Sequence, residues 1–420
     1  MSAAIGGVEY RRFLDCVHCG LCLSACPTYV ELGTEMDSPR GRIYLMKGLA
    51  DGEVQPTEEV VRHLDLCLGC RACETACPSG VRYGELIEAT RAHVLDAPTR
   101  PLLRRAAAAA VRRIFPEPER LAALVAPLRW LQQTPLWSAI RRAVPPARLL
   151  PRLGAVQAIA SDSPARGPER RRVGLLTGCV SRVLFSATNA ATVRVLARNG
   201  CRVVAPPAQG CCGALDLHAG DRDRARERAR ALIEAFPAEL DAIIVNAAGC
   251  GAAMKEYGHL LADDPAYAER ARHFAALVRD VSEFLADLQP EPPRAPLRAR
   301  VTYHDACHLA HAQGVRSQPR DLLRAIAGLE LVELEEADQC CGSAGSYNLT
   351  EPAMARRLGE RKARHVAATG AACVLAGNPG CALQIAAHLE RAGVAAEVMH
   401  PVELLDRAYR ASGDYVDVFA

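Results

Sequence analysis

Two cysteine runs near the amino terminus constrain this chain more than any other feature. Residues 16–27 read CVHCGLCLSACP and residues 67–78 read CLGCRACETACP, and both follow the spacing C-x2-C-x2-C-x3-C-P. This spacing wraps thiolates around cubane [4Fe–4S] clusters, whereas zinc sites normally use two separated cysteine pairs. The runs therefore predict two [4Fe–4S] clusters, in preference to zinc or to unrelated free cysteines.

The last cysteine of each run is expected to bind the cluster of the other run, as in other paired runs of this spacing. Apolar residues at helical spacing lie between the two runs, which favours an α-helical ferredoxin module over a compact β-rich one. Two interlocked clusters would carry single electrons. The predicted ligands are Cys16, Cys19, Cys22 and Cys77 for cluster I, and Cys67, Cys70, Cys73 and Cys26 for cluster II.

The composition is that of an ordinary soluble protein. Of the 420 residues, 50% are hydrophobic and 24% are charged, and the net charge of +3 gives no reason to expect nucleic acid as a partner. The first residues lack the charged and apolar regions of a secretory signal, and no apolar run approaches the ~20 residues that span a bilayer. A cytoplasmic location, where thiols stay reduced, is therefore expected.

The predicted ferredoxin module covers residues 1–98, and a basic helical linker covers residues 99–170. A helix is expected at Leu102–Phe115, and Ser161–Arg172 is expected to be a flexible linker. The basic helical linker contains many arginines and both tryptophans, Trp130 and Trp137. Three interpretations stay open: a connecting helical bundle, a docking surface for a partner subunit, and a surface that lies peripherally on an anionic membrane.

The rest of the chain is an internal repeat of two units, predicted at residues 171–295 and 296–420. Cys179 and Cys211 are 32 positions apart, and Cys307 and Cys340 are 33 positions apart. Short apolar runs alternate with helical stretches in both units, which predicts α/β units with parallel-type sheets. The predicted strands are Val173–Thr177, Arg202–Ala205, Ala242–Val245, Val301–Tyr303, Leu331–Leu334 and Ala372–Leu375.

Each repeat unit is expected to gather four cysteines at one rim of its sheet, because sites form at the carboxyl ends of parallel strands. One or two further iron–sulfur clusters, redox-active thiols and structural cysteines all fit this arrangement. His304 and His308 are candidates for a proton relay beside the second group, and the leftover Cys201 and Cys373 are expected to be structural. The candidate groups are Cys179, Cys211, Cys212 and Cys250, and Cys307, Cys340, Cys341 and Cys381.

The doubled CCG motif behind a two-cluster ferredoxin resembles the cysteine-rich domains of heterodisulfide reductases and related oxidoreductase subunits. The segments CVHCGLCLSACPTY, DSPRGRIYLMK, YHDACHLAH and GNPGC look most like the iron–sulfur subunits of bacterial glycolate oxidases. One departure concerns the C-x-x-C pair that closes each unit in the reductases. Its first positions here are Ala247 and Asn378, which puts the unusual non-cubane cluster of the reductases in doubt.

The resemblance implies an electron-transfer subunit of an oxidoreductase complex. FAD-containing flavoprotein subunits would oxidise glycolate to glyoxylate, and this chain would pass the electrons toward a membrane quinone, at the inner face of the cell membrane. The isolated chain would be inactive, and its sequence has no G-x-G-x-x-G fingerprint for a dinucleotide. The alternatives are a heterodisulfide-reductase-like subunit and an iron–sulfur subunit that serves a D-lactate or glycerol-3-phosphate dehydrogenase.

Overall fold

A helical amino-terminal region is followed by a helical connector and two α/β units. The structure, a computed structural model, describes residue 5 and residues 8–95, 102–143 and 153–413. The predicted boundary between residues 98 and 99 and both predicted chain ends lie outside these ranges. The expected fold class, multidomain with α and α/β parts, is confirmed.

The amino-terminal region is built from short helices around the two cysteine runs. Ser38 caps helix α2, because its hydroxyl accepts a 3.0 Å hydrogen bond from the Gly41 amide, and Pro39 opens the first turn. Gly52 ends the same helix in the left-handed conformation, with φ of 75°. The elements are a 3-10 helix at Tyr10–Asp15, α1 (Pro27–Leu32), a 3-10 helix at Glu35–Asp37, α2 (Pro39–Asp51), α3 (Glu58–Asp65), α4 (Ala72–Thr75) and α5 (Tyr83–His93).

Three helices form the described part of the connector: α6 (Leu102–Ile114), α7 (Pro118–Gln132) and α8 (Leu136–Ala143). The Arg129 guanidinium donates a 2.8 Å hydrogen bond to the Val183 carbonyl, which fixes α7 to the first α/β unit. Trp130 on the same helix is 68% exposed. Within the described ranges, no helix is long and apolar enough to cross a membrane.

The first α/β unit contains a five-stranded sheet in the order β1-β3-β2-β4-β5. Only β1 is antiparallel to its neighbour; the other strands are parallel. Asp162–Ser163 and Arg171–Arg172 are strand residues, so both ends of the expected flexible linker have a defined place at the sheet. The strands are β1 (Asp162–Ser163), β2 (Arg171–Leu176), β3 (Cys201–Val204), β4 (Ala242–Val245) and β5 (Val278–Asp280). The helices are α9 (Cys179–Leu184), α10 (Ser186–Arg198), α11 (Ala214–Ala219), α12 (Arg222–Ala235), α13 (Ala248–Lys255), α14 (Tyr257–Leu260), α15 (Ala268–Leu277) and α16 (Val281–Leu288).

The second α/β unit contains a four-stranded parallel sheet in the order β7-β6-β8-β9. The predicted strand at Leu331–Leu334 is shifted by two residues, because pairing with β6 places the strand at Leu329–Val332. The strands are β6 (Ala299–His304), β7 (Leu329–Val332), β8 (Cys373–Ala376) and β9 (Glu397–Met399). The helices are α17 (Ser317–Arg324), α18 (Tyr347–Thr350), α19 (Pro352–Thr369), α20 (Pro379–Ala392) and α21 (Pro401–Ala411), with a π-helical turn at His308–Ala312.

The two α/β units share one hydrophobic core. Val173, Leu196, Val301 and Tyr409 are all buried in it, so side chains of both sheets and of the helices between them pack together. Cys201 and Cys373 lie in the same core, and burial raises their thiol pKa values to about 11 and about 12. These two cysteines are therefore buried as small apolar side chains.

Helix α10 of the first unit packs against helix α21 of the second, and an ion pair joins the two helices. The Arg194 guanidinium binds both carboxylate oxygens of Asp406, at distances between 2.8 and 3.2 Å. The last described helix of the chain thus completes packing that begins in the first unit.

Candidate metal centres

The first ferredoxin group lies at the protein surface. Its four cysteines line a single pocket, which also contains His18, Arg40 and Val81. Cys19 is exposed and the other three are partly buried. The pocket combines the first three cysteines of one run with the last of the other, the grouping expected if the runs exchange their last ligands. The cysteines are Cys16, Cys19, Cys22 and Cys77.

The second ferredoxin group lies inside the protein. Cys26, Cys67, Cys70 and Cys73 are each 8% exposed or less. Burial, followed by the nearby sulfurs of Cys70, Cys67 and Cys26, raises the pKa of Cys73 well above its ordinary value. Cys26 therefore sits among the first three cysteines of the second run, and the exchange of ligands between the runs stays a prediction.

A buried arginine joins the two runs at this inner group. Arg42 is 1% exposed, and its Nη1 lies 3.9 Å from Cys26 Sγ and 3.0 Å from Thr28 Oγ1. Burial alone would raise the pKa of Cys67, but the guanidinium groups of Arg42 and Arg91 outweigh it and lower that pKa. The site thus favours a thiolate at Cys67.

The first repeat unit brings its four cysteines together at the carboxyl ends of its strands. Cys179 Sγ lies 3.6 Å from Cys211 Sγ, and the pKa of Cys211 is lowered well below its ordinary value, mainly by hydrogen bonds from Cys179 and Cys212. Cys212 in turn contacts Cys250. All four are buried except Cys250, which is partly buried.

The second repeat unit gathers its cysteines in the same way, and all four are buried. Contact with Cys340, followed by burial, raises the pKa of Cys307 well above its ordinary value. Cys341 contacts both Cys340 and Cys381. The expectation that each repeat unit assembles its four cysteines at one rim therefore agrees with the structure in both units.

A glycine after each cysteine pair makes these groups possible. Gly213 and Gly342 adopt φ values of 78° and 88°, a conformation that other residues rarely adopt. A Cβ atom at Gly342 would lie 2.7 Å from the Ala355 carbonyl oxygen, so the turn also needs the close approach of two backbones. The glycine of each CCG motif (residues 211–213 and 340–342) thus allows the turn that brings the two preceding cysteines to the site.

Every cysteine group has a basic side chain beside it. A cluster held by four thiolates is anionic, so a nearby cation stabilises the bound form, and an all-sulfur donor set suits iron–sulfur clusters. Lys362 is 3% exposed, and burial lowers its pKa while the sulfurs of Cys341 and Cys340 act in the opposite direction. The residues present therefore fit an anionic metal centre. The four cations are Arg40 beside Cys22, Arg42 beside Cys26 and Cys67, Arg228 beside Cys211, and Lys362 beside Cys340 and Cys341.

The inner ferredoxin group is in direct contact with the second repeat unit. Cys70 shares a hydrophobic cluster with Cys307 and Cys340, and burial and the Cys307 sulfur raise its pKa. The Tyr347 hydroxyl donates a 2.9 Å hydrogen bond across this boundary to the Leu66 carbonyl. On its other side the inner group lies beside the surface pocket, because the pKa of Cys22 is raised by burial and, more weakly, by the Cys26 sulfur. Three of the four groups thus follow one another from the surface pocket into the second unit.

The first repeat unit meets the ferredoxin region through polar contacts instead. His218 Nδ1 lies 2.9 Å from Glu88 Oε1, and the His218 carbonyl accepts a 3.0 Å hydrogen bond from Arg91. Arg71 forms an ion pair with Glu256 nearby.

The two predicted relay histidines both lie at the second repeat unit. His304 and His308 are 0% and 8% exposed, and burial holds both pKa values well below the usual range. His308 Nδ1 is 3.5 Å from Cys307 Sγ, and its ring lies 4.9 Å from that of His218. Both imidazoles are therefore held neutral, and their role as a proton relay stays a prediction.

Sequence reasoning missed the buried cations. Arg42 stands in the segment DSPRGRIYLMK, whose resemblance to a known family gives no reason for its arginines. Lys362 lies on a helix with many charged residues and carries no local signal.

Comparison with known families agrees with this architecture. Residues 12–81 match the 4Fe-4S dicluster domain, and residues 173–255 and 301–386 match the Cysteine-rich domain. The chain is therefore an iron–sulfur protein with two [4Fe–4S] clusters in its amino-terminal region.

Similar proteins come from several organisms. The probable glycolate oxidase iron-sulfur subunit of Bacillus subtilis is 41% identical over 97% of this chain and 95% of its own length. The glycolate oxidase iron-sulfur subunit of Escherichia coli is 38% identical over 94% of this chain and 93% of its own length. A fumarate reductase (CoM/CoB) subunit of Methanothermobacter marburgensis is 30% identical over 96% of this chain and 73% of its own length. With nearly full-length similarity and both domain types in the same order, the chain belongs to the family of glycolate oxidase iron–sulfur subunits, which are electron-transfer subunits of oxidoreductases.

Proposed function

We propose that this chain takes electrons from a flavoprotein that oxidises glycolate to glyoxylate and passes them toward a quinone. One observation carries the proposal: cysteine groups form a row from a surface pocket at Cys19, through the buried group of Cys70, to Cys307 and Cys340 in the second unit. Family membership adds glycolate as the substrate class, because two relatives that match this chain over more than nine-tenths of their length carry that name.

The proposed ligand sets follow the grouping of the sulfurs. When bound, a [4Fe–4S] cluster accepts and releases a single electron. We assign Cys16, Cys19, Cys22 and Cys77 to cluster I and Cys67, Cys70, Cys73 and Cys26 to cluster II, with the two repeat units as sites for further clusters. The domain boundaries proposed from the sequence, at residues 98, 170 and 295, separate these sites in the same way.

The partner docks, in this proposal, around the surface pocket. Leu14, Val17 and Leu21 are 56%, 67% and 60% exposed, and Val17 lines the pocket together with Cys19. Exposed apolar side chains next to one another mark protein interaction sites more often than isolated ones do. An FAD-containing flavoprotein at this face would place its electrons beside the most accessible cysteine group.

The connector supplies a second surface for the complex. Trp130 and Leu124 are 68% and 58% exposed on α7, in a segment rich in arginine. We propose that the complex is cytoplasmic and that this surface lies at the inner face of the cell membrane, where a quinone can be reached.

A reconstitution assay tests the proposal. The purified chain alone should show no glycolate-dependent dye reduction, since its sequence offers no flavin site, and addition of the flavoprotein subunits should let glycolate reduce the clusters. A Cys70→Ser chain is the matched control: the flavin should still be reduced, but electrons should no longer reach a quinone analogue. Glycolate turnover by the isolated, flavin-free chain would overturn the proposal. If the reconstituted complex oxidised D-lactate but not glycolate, D-lactate would replace glycolate as the proposed substrate.

A pocket at the second unit favours one alternative, reduction of a disulfide. Cys340 lines a small pocket with Glu336, Gln339, Arg361 and Lys362, where a charged substrate could approach a thiol. Heterodisulfide-reductase-like activity predicts that a disulfide substrate is reduced to two thiols at this site, with two electrons from the reduced clusters and two protons from solvent. Absence of disulfide turnover in the reconstituted complex would leave electron transfer as the function.

A further inference from the structure

The second repeat unit contains one more candidate ligand than its four cysteines. His304 is the last residue of β6, the strand whose carboxyl end opens onto the cysteine group. A ring nitrogen of His304 and the sulfurs of Cys341 and Cys381 all lie within 4.8 Å of one another. A nitrogen and two thiols at these separations can bind one metal ion or one cluster corner.

At least one ring nitrogen of His304 lacks a partner in the part of the chain that the structure describes. The side chain is 0% exposed, so water does not supply that partner from the surface. The Ala337 carbonyl faces the imidazole and also accepts a 3.1 Å hydrogen bond from the Asp305 amide, and it can satisfy one ring nitrogen at most. A buried polar group without a partner is costly, so an imidazole in this position calls for a ligand that the chain itself does not supply.

The first unit shows what an ordinary core residue does at this position. Leu176 ends β2 as His304 ends β6, and each is the last residue paired with the neighbouring central strand, at Val245 and Ala376. Leu176 is 1% exposed and packs in an apolar cluster with Cys212. The fold therefore needs only an apolar side chain here, and the imidazole of the second unit is not explained by packing.

The position of the missing fifth cysteine does not supply the ligand. Asn378 stands there, and its Nδ2 donates a 3.5 Å hydrogen bond to Cys381 Sγ while its Oδ1 accepts one of 3.3 Å from the Gly249 amide. Both polar atoms of this side chain are thus engaged. His304 approaches the same sulfurs from the strand side.

We propose that His304 is a nitrogen ligand of the iron–sulfur centre in the second repeat unit. The site then offers five donors for the four corners of a cubane cluster, so the imidazole takes the corner of one thiolate, whereas the first unit offers four sulfurs only. Replacement of a thiolate by an imidazole raises the reduction potential of an iron–sulfur centre, so the second unit would be the better electron acceptor of the two. The inference rests on a cluster bound in this unit, as proposed above. The five donors are His304, Cys307, Cys340, Cys341 and Cys381.

Pulsed EPR on the full-length, anaerobically reconstituted protein tests the proposal without any variant. With 15N incorporated at histidine only, a centre ligated by His304 should show a strong 15N hyperfine coupling. The iron content should exceed the roughly eight irons of two [4Fe–4S] clusters. More iron without nitrogen coupling would reject His304 as a ligand, and about eight irons would reject a cluster in this unit and the inference with it; the glycolate assay tests electron transfer separately.

Variants then assign the coupling to a residue. His304→Leu, which copies the first unit, should abolish the coupling, whereas His308→Leu and His18→Leu should retain it. His304→Cys covers the case in which the leucine variant folds poorly. It should keep the iron content, lose the nitrogen coupling and lower the reduction potential of that centre. Coupling that persists in His304→Leu or in His304→Cys would overturn the assignment.

Discussion

The two repeat units share their sulfur geometry and differ in their surroundings. Each places four cysteines at the carboxyl ends of parallel strands, with a left-handed glycine after the cysteine pair. The first unit has Leu176 and a partly exposed Arg228 beside its sulfurs, and the second has His304 and the buried Lys362. Both units thus have the same arrangement of four cysteines, and they differ in the side chains that lie beside the sulfurs.

The units also meet the ferredoxin region through different chemistry. The second buries apolar side chains and Cys70 against it, and the first forms hydrogen bonds and ion pairs such as His218 with Glu88. An apolar contact that excludes water holds redox groups at fixed separations, whereas partly exposed ion pairs are weak and adapt. In the function proposed above, the second unit is therefore the one that exchanges electrons with the ferredoxin region.

The largest expected effect concerns electron flow through the reconstituted complex. Cys340→Ser should bring glycolate-dependent reduction of a quinone analogue to background. The reason is that Cys340 packs in the same hydrophobic cluster of side chains as Cys70, at the contact through which electrons are proposed to pass. Cys211→Ser in the first unit should leave most of that rate. Equal losses in the two variants would mean that both units carry the electrons and that they do not differ in this respect.

The two contacts with the ferredoxin region should contribute different amounts to the free energy of unfolding. Leu358 is 4% exposed in the apolar contact, so Leu358→Ala should lower the free energy of unfolding by about 2–5 kcal/mol. His218→Ala removes a partly exposed pair with Glu88 and should cost at most about 1 kcal/mol. Anaerobic urea denaturation measures both, and a larger loss in His218→Ala would reverse the comparison.

The two cations should differ in how strongly they retain metal. Lys362→Met removes a buried charge from the second unit and should weaken iron retention by about 10–100-fold, as measured by the rate of iron loss to a chelator. Arg228→Met removes a charge whose side chain is 16% exposed and also paired with Asp216, so a smaller change is expected. A chelation rate that is unchanged in Lys362→Met would show that this lysine does not stabilise a bound anion.

The smallest effect is a pair of opposite pH trends. Asp280 caps α16 in the first unit and His400 caps α21 in the second, and burial raises the pKa of Asp280 from 3.8 to about 7 and lowers that of His400 from 6.5 to about 3. The stability from Asp280 is present below pH 3.8 and is lost as the pH rises to about 7. The stability from His400 is present above pH 6.5 and is lost as the pH falls to about 3.

Between about pH 5 and 6.5 these trends oppose each other in the intact protein. Relative to it, Asp280→Asn should gain stability as the pH rises and His400→Asn should lose stability, each by up to about 1.4 kcal/mol per pH unit. Asparagine keeps the helix cap in both variants. Denaturation midpoints at several pH values give the slopes, and slopes of the same sign would show that the two caps do not titrate as described.

Local patterns in the sequence are enough to predict most strands, and the order of strands and helices is enough to predict which cysteines lie near one another. Other side chains that tertiary packing brings together leave no such pattern. Ala242–Val245 is a continuous apolar run, and its predicted bounds are the observed ones. The edge strands β5 and β9 have three residues each and run directly into a helix cap, so no pattern marks them. His304 is a candidate from the sequence because Cys307 lies nearby, but its approach to Cys341 and Cys381 depends on the sheet.

The packing of α21 against α10 has a consequence for biosynthesis. Leu404, Leu405 and Tyr409 fill the core that the first unit shares with the second, and Asp406 neutralises Arg194. A chain emerging from the ribosome cannot close this core until its last helix is made, so the two units reach their final packing only after translation. A protein truncated before residue 401 would expose apolar side chains of this core, such as Val195 and Leu196 on α10, to solvent.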